Sequence, residues 1–169
     1  MKSPAVQRLD RLARDVTPAL TITALAIFTA IPLGFPGLQQ VTPAYTMMAV
    51  FYWAVYRPDL LSPITVFAIG LLQDVVLGQP LGLSALTLLA VLGVTVSQRQ
   101  AFIAKPFVLA WLGFVVIAAG AFLLVWMLMM LTNLTIILPP AALYQYAVTV
   151  AVFPLVAWVF VRIHRNWVR

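Results

Sequence analysis

The chain of 169 residues contains no cysteine, no glutamate and a single histidine, His164. Without cysteine it can form no disulfide, hold no metal through a thiolate and use no cysteine nucleophile. One histidine and four aspartates do not make a standard zinc site, and no glycine-rich phosphate loop occurs. Charge is equally scarce: charged residues make up 8% of the chain, against about 25% in an ordinary soluble domain. Ten Lys and Arg with four Asp are too few to clothe a water-soluble globule. What fills the chain instead is apolar, with 64% from the hydrophobic set and a mean hydropathy of +1.06. Lipid is therefore the expected solvent. At about 20 residues per spanning helix, the length allows at most six or seven spans and leaves little for an extramembrane domain.

Apolar runs separated by polar or Pro/Gly punctuation place six candidate spans at about 18–36, 42–56, 61–77, 80–97, 107–131 and 141–161. The fold class expected is thus all-α, a polytopic membrane protein. Net charge is +6, but a nucleic-acid surface would need a basic patch with a recognition element beside it, and none is visible. The ten basic residues fall instead in alternate connections. Lys2, Arg8, Arg11 and Arg14 precede the first span, Arg57 follows the second, Arg99 and Lys105 follow the fourth, and Arg162, Arg165 and Arg169 follow the sixth. The connections around 36–41, 78–79 and 132–140 carry no Lys or Arg. Six spans with both termini cytoplasmic satisfy the positive-inside rule without exception, whereas five would strand one basic cluster outside.

Three domains follow: a cytoplasmic leader over 1–17, a transmembrane domain over 18–161 and a basic tail over 162–169. The apolar run at 18–38 is too long for a signal-peptide h-region and is expected to stay as the first helix. Residues 6–16 form an amphipathic helix, read either as an interfacial anchor along the inner leaflet or as a docking helix. Trp53, Tyr56, Trp111, Trp158 and Trp167 are expected near the inner interface, and Tyr45, Tyr144 and Tyr146 near the outer one. Small-residue pairs at i, i+4, namely Ala26/Ala30, Gly93/Ser97 and Ala147/Ala151, are expected to serve internal packing. Pro32 and Pro154 predict kinks in the first and last spans.

Only one charge lies inside a span, Asp74. A central acidic side chain costs about 2.5–3.5 kcal/mol on insertion scales, but Asp74 stands four residues before Gly78, about 6 Å below the helix end. Gly78 reads as a helix stop, and Pro80 as the first turn of the next helix. So tight a connection makes the third and fourth spans antiparallel neighbours. Asp74 then accepts hydrogen bonds from free amides at the start of the fourth span, or from Ser84. Two readings stand side by side: a pinned hairpin, or a contact or ion site facing outward.

Enzymatic readings fail on inventory. Gly82-Leu83-Ser84-Ala85 is similar to the nucleophile segment of intramembrane serine proteases, which need a histidine base beside the serine. His164 lies at the opposite, cytoplasmic end. Leu86 occupies the final position of the G-x-S-x-G elbow and breaks it. No second intramembrane charge is present to relay protons with Asp74. The chain is expected to be no enzyme and to need no cofactor or metal.

The stretch Phe67-Ala68-Ile69-Gly70-Leu71-Leu72-Gln73-Asp74-Val75-Val76-Leu77-Gly78-Gln79-Pro80-Leu81-Gly82 resembles the motif of the MreD rod-shape-determining family: F-x-x-G-L-L-x-D, then G-x-x-L-G and a small or hydroxyl residue. The turn Tyr56-Arg57-Pro58 ahead of it and the near-absence of extramembrane mass add to the likeness. The resemblance implies a six-helix bundle similar to the substrate-binding subunits of energy-coupling-factor transporters, in the bacterial inner membrane. It also implies a scaffold of the cell-elongation and peptidoglycan-synthesis machinery, a partner of MreC and, through it, of MreB, RodA and a class B penicillin-binding transpeptidase. Carried over residue by residue, Gly70, Asp74, Gly78, Pro80 and Gly82 would shape the outer end of the third and fourth spans, with Arg57 and Pro58 at the inner turn. The alternative is a substrate-binding subunit of a vitamin-type transporter. It predicts a polar pocket near the outer side, for which the short, almost uncharged outer loops supply few groups.

Overall fold

The structure, a computed structural model, describes residues 4–29, 42–102, 107–133 and 140–167, with side chains described over 17–29, 42–102, 107–131 and 142–162. Among the described residues it is all-helical, with six α-helices: α1 (Pro4–Thr29), α2 (Tyr45–Tyr56), α3 (Pro63–Leu77), α4 (Leu83–Ser97), α5 (Phe107–Asn133) and α6 (Pro140–Trp167). Short 3-10 turns follow α2 at Pro58–Leu60 and α4 at Arg99–Ala101. The leader and the first apolar run form one unbroken helix with Pro18 inside it. Proline at its first position starts α3 after an extended Ser62, where a missing N–H costs nothing.

α4 begins three residues later than the apolar run implies. Pro80 is not in its first turn but in the connection, where its carbonyl accepts the Leu83 N–H at 3.2 Å. The cause is Gly82, whose φ of +96° cannot belong to a right-handed helix.

α2 is the central element. Its 12 residues reach only about 18 Å, and every side chain from Thr46 to Val55 is buried. It packs against α1, α4 and α6, while α1–α3, α3–α4, α4–α5 and α5–α6 contacts close the surround. Phe114 and Phe153 stack at 4.0 Å between centroids, and Phe51 of α2 meets both edge-on at 5.2 and 5.7 Å. Trp53 is fully buried rather than at an interface, because its indole N–H donates to Thr21 Oγ1 of α1 at 3.0 Å. Trp111 likewise turns inward, donating to the Val150 carbonyl at 3.2 Å, whereas Trp158 is exposed with the Arg162 guanidinium 5.9 Å above its ring.

The outer surface is apolar as well as the core. Ile64, Val116 and Leu131 are each more than 70% exposed, while Thr46, Thr87, Thr95 and Thr149 are buried. Two of these threonines return their hydroxyl protons to their own helix, Thr87 to Leu83 O and Thr149 to Gln145 O. Phe107–Leu131 and Ala142–Arg162 are long and apolar enough to cross a membrane; Thr17–Thr29, Pro63–Leu77 and Leu83–Ser97 are apolar but shorter. This pattern is consistent with a membrane protein. Two of the small-residue pairs also depart from expectation: Gly93/Ser97 and Ala147/Ala151 face outward, and only Ala26 of the third pair, whose Ala30 lies outside the described residues, is buried.

The connections at 30–41, 103–106 and 134–139, with Pro32 and Lys105, lie outside the described residues, as do the side chains of the leader's arginines, Arg165 and His164.

Candidate functional site

α3 and α4 form the most extensive pairing in the bundle, and the motif residues sit along their crossing. Gly70 makes the crossing possible: a Cβ there would overlap the backbone of Ala85, lying 2.7 Å from its nitrogen. One turn further along α3, Asp74 is 0% exposed. Its Oδ2 accepts the Gly82 N–H at 2.7 Å, and its Oδ1 accepts the Ser84 N–H at 2.8 Å.

These two bonds replace a missing cap. Gly82 precedes α4 and has no side chain to satisfy the helix's first free amides. Asp74 supplies the acceptor from the neighbouring helix, placing a carboxylate at the positive end of the α4 dipole. The same residue also helps end its own helix: the Asp74 carbonyl accepts the Gln79 N–H at 2.9 Å across Gly78, whose φ of +63° terminates α3. One residue thus closes α3 and opens α4. The Ser84 hydroxyl does not bond Asp74; it points to Gln79 Oε1 at 3.4 Å.

Gly70, Asp74, Gly78, Pro80 and Gly82 are therefore brought together at one end of the bundle. Arg57 and Pro58 lie at the other end of α3. There the Arg57 N–H closes α2 on Trp53 O at 2.8 Å, and its guanidinium meets Asp59 at 3.4 Å in an exposed pair of small energetic weight. Arg99 reaches the same end and donates from Nε to Val55 O at 3.0 Å, capping a free carbonyl of α2. His164 lies near the C-terminal end of α6, about 28 Å along that helix from Gln145. Gln145 is at the motif end, where it donates to Thr42 O at 2.8 Å.

Beside the α3–α4 turn lies a cavity of about 290 Å³ to which all six helices contribute, through Thr29, Met47, Gln73, Ser84, Phe122 and Gln145 among others. The polar groups that the loops lack are provided by helix ends. Nothing in the local pattern marks these neutral residues, and Gln73, adjacent to Asp74 within an apolar run, is the one signal available in the sequence. Its Oε1 is enclosed without a hydrogen-bond partner. A second cavity of about 350 Å³, almost wholly apolar, lies between α5 and α6 and shares Phe122 with the first.

Apolar flanks, buried threonines and a carboxyl group bonded to backbone amides are consistent with a helix bundle of membrane-protein type. The chain belongs to the family of the rod shape-determining protein MreD, which it matches over residues 11–163. No curated protein and no solved structure matches it. Membership brings a role in rod-shape determination and a membrane-associated, structural family that is not known for enzymes.

Proposed function

We propose that the chain is a non-enzymatic scaffold of the bacterial cell-elongation complex in the inner membrane, crossing it six times with both termini cytoplasmic and binding MreC. MreB, RodA and a class B penicillin-binding transpeptidase belong to the same proposed assembly, and the bundle is proposed to resemble energy-coupling-factor substrate-binding subunits. One observation carries this: both oxygens of Asp74 are occupied by backbone amides, so the family motif builds a rigid hairpin and presents no reactive group. The basic side chains Arg57, Arg99 and Arg162 all lie toward the end opposite that hairpin, which supports a cytoplasmic side there. A protein with so little extramembrane mass acts through helix faces and short loops.

Affinity purification of the tagged chain from membranes is expected to bring down an MreC-like single-span protein, and depletion to round or widen the cells. Normal shape and width after depletion would overturn the proposal. A ligand-binding subunit of a transporter is the second reading, favoured by the polar cavity alone. An adjacent MreC-like reading frame supports the scaffold; an adjacent coupling protein and ATPase support the transporter.

A further inference from the structure

The polar cavity is lined by hydroxyls and side-chain amides. The Thr29 and Thr87 hydroxyls spend their protons on Leu25 O and Leu83 O at 2.7 and 2.8 Å, and the Ser84 hydroxyl points to Gln79 Oε1. The Gln145 amide donates to Thr42 O. The hydroxyls retain lone pairs, Gln73 adds an enclosed oxygen with no partner, and the side-chain amides of Gln73 and Gln79 bring N–H donors to the same lining. A cavity with both acceptors and donors is complementary to a group that does both, as a hydroxyl does. Among the described residues no charged side chain lines it, and Asp74 already accepts a backbone N–H on each oxygen. A cation or a phosphate would therefore lack the counter-charge that burial demands. Uncharged hydroxyls fit. The volume, at the small end of ligand sites, suits one ring-sized group.

The apolar cavity supplies the other half. It shares Phe122 with the polar cavity, and that ring meets Tyr146 edge-on at 5.8 Å. It continues between α5 and α6 along Ala119, Leu123 and Leu143, and both Leu123 and Leu143 are more than half exposed at the flank of the bundle. A polar chamber and an apolar groove meeting at one side chain have the form of a headgroup beside a chain.

We propose that the two cavities form one lipid site: an uncharged, hydroxyl-rich headgroup sits among Thr29, Gln73, Ser84 and Thr87, and one acyl chain lies between α5 and α6. A small turn of the Gln73 amide, whose terminal torsion is broad, brings its oxygen to a headgroup hydroxyl. The absence of a charged residue from the described lining disfavours anionic headgroups and so separates this site from the general attraction of a basic protein for acidic lipid.

The test uses the full chain in mild detergent, with bound lipid read by native mass spectrometry. The probes are monoglucosyl dioleoylglycerol and the chain-matched dioleoyl phosphatidylglycerol, added in competition. Preferential retention of the glucosyl lipid by about tenfold is expected, the worth of one or two hydrogen bonds. Gln73→Leu is expected to abolish the preference by removing the headgroup acceptor. Ala119→Trp, which fills the groove from an exposed position, is expected to reduce retention of both lipids. Both variants should unfold at or above the wild-type temperature. Equal retention of the two probes by the wild type, or a preference that survives Gln73→Leu, would overturn the proposal and leave a cavity that holds water.

Discussion

Asp74 shows how an acidic side chain can be buried and still favourable. A carboxylate inside a membrane helix is expensive only while its oxygens lack donors. Here each oxygen meets a backbone N–H that α4 would otherwise leave unsatisfied, so two costs cancel. Asp74→Ala should restore one of them. With two enclosed amides left without acceptors, at about 1–3 kcal/mol each, the variant is expected to lose about 2–4 kcal/mol of stability in thermal or detergent-driven unfolding followed by circular dichroism. Asp74→Asn keeps one acceptor and should fall about midway. Wild-type stability in both variants would show that the amides find other partners. Gly78 and Gly82 belong to the same device, since their positive φ lets the chain turn back within reach of the carboxylate.

At the level of elements, α3 and α4 are held by contact as well as by capping. Gly70 and Gly93 face different surroundings: a methyl at Gly70 would enter the Ala85 backbone, whereas nothing lies within 4 Å of the corresponding position at Gly93. Gly70→Ala is therefore expected to force the helices apart and cost about 1–3 kcal/mol. Gly93→Ala should be neutral or stabilise by about 0.5–1 kcal/mol through helix propensity. Comparing the two unfolding midpoints checks this, and an equal effect would remove the close-crossing role of Gly70. The helices themselves were legible in the apolar runs, and the tight hairpin in the stop at Gly78, although Pro80 lies in the connection and Gly82 delays the start of α4. The central place of α2 was not. Its unbroken apolar stretch says that its solvent is apolar, but a protein interior and a lipid tail are apolar alike, and hydropathy does not separate them.

For the whole molecule, the scarcity of charge and the one-sided placement of Lys and Arg lead to a topology that the missing cysteines make easy to test. Single cysteines introduced at Gln79 or Leu81 are expected to react with an impermeant thiol reagent added outside intact cells, and those at Arg57 or Gln100 only after permeabilisation. Labelling of both ends from one side would exclude six spans with both termini inside. The cavities belong to this scale too. No single segment encodes them, because Thr29, Gln73, Ser84 and Gln145 come from four helices and are unremarkable in each.

By itself the sequence determined the local features whose causes are local: helical runs, a helix stop at Gly78, and an acidic side chain within reach of the free amides that open the next helix. Hydrogen bonds of short sequence separation follow from residue type and spacing alone. Tertiary structure decided what depends on how six apolar cylinders choose their neighbours. It buried Trp53 against Thr21, turned the Gly93/Ser97 and Ala147/Ala151 pairs outward, set Gly70 against Ala85 and left a polar chamber beside an apolar groove. Those outcomes rest on shape complementarity between side chains far apart in the chain, which an almost uniformly apolar composition does not record.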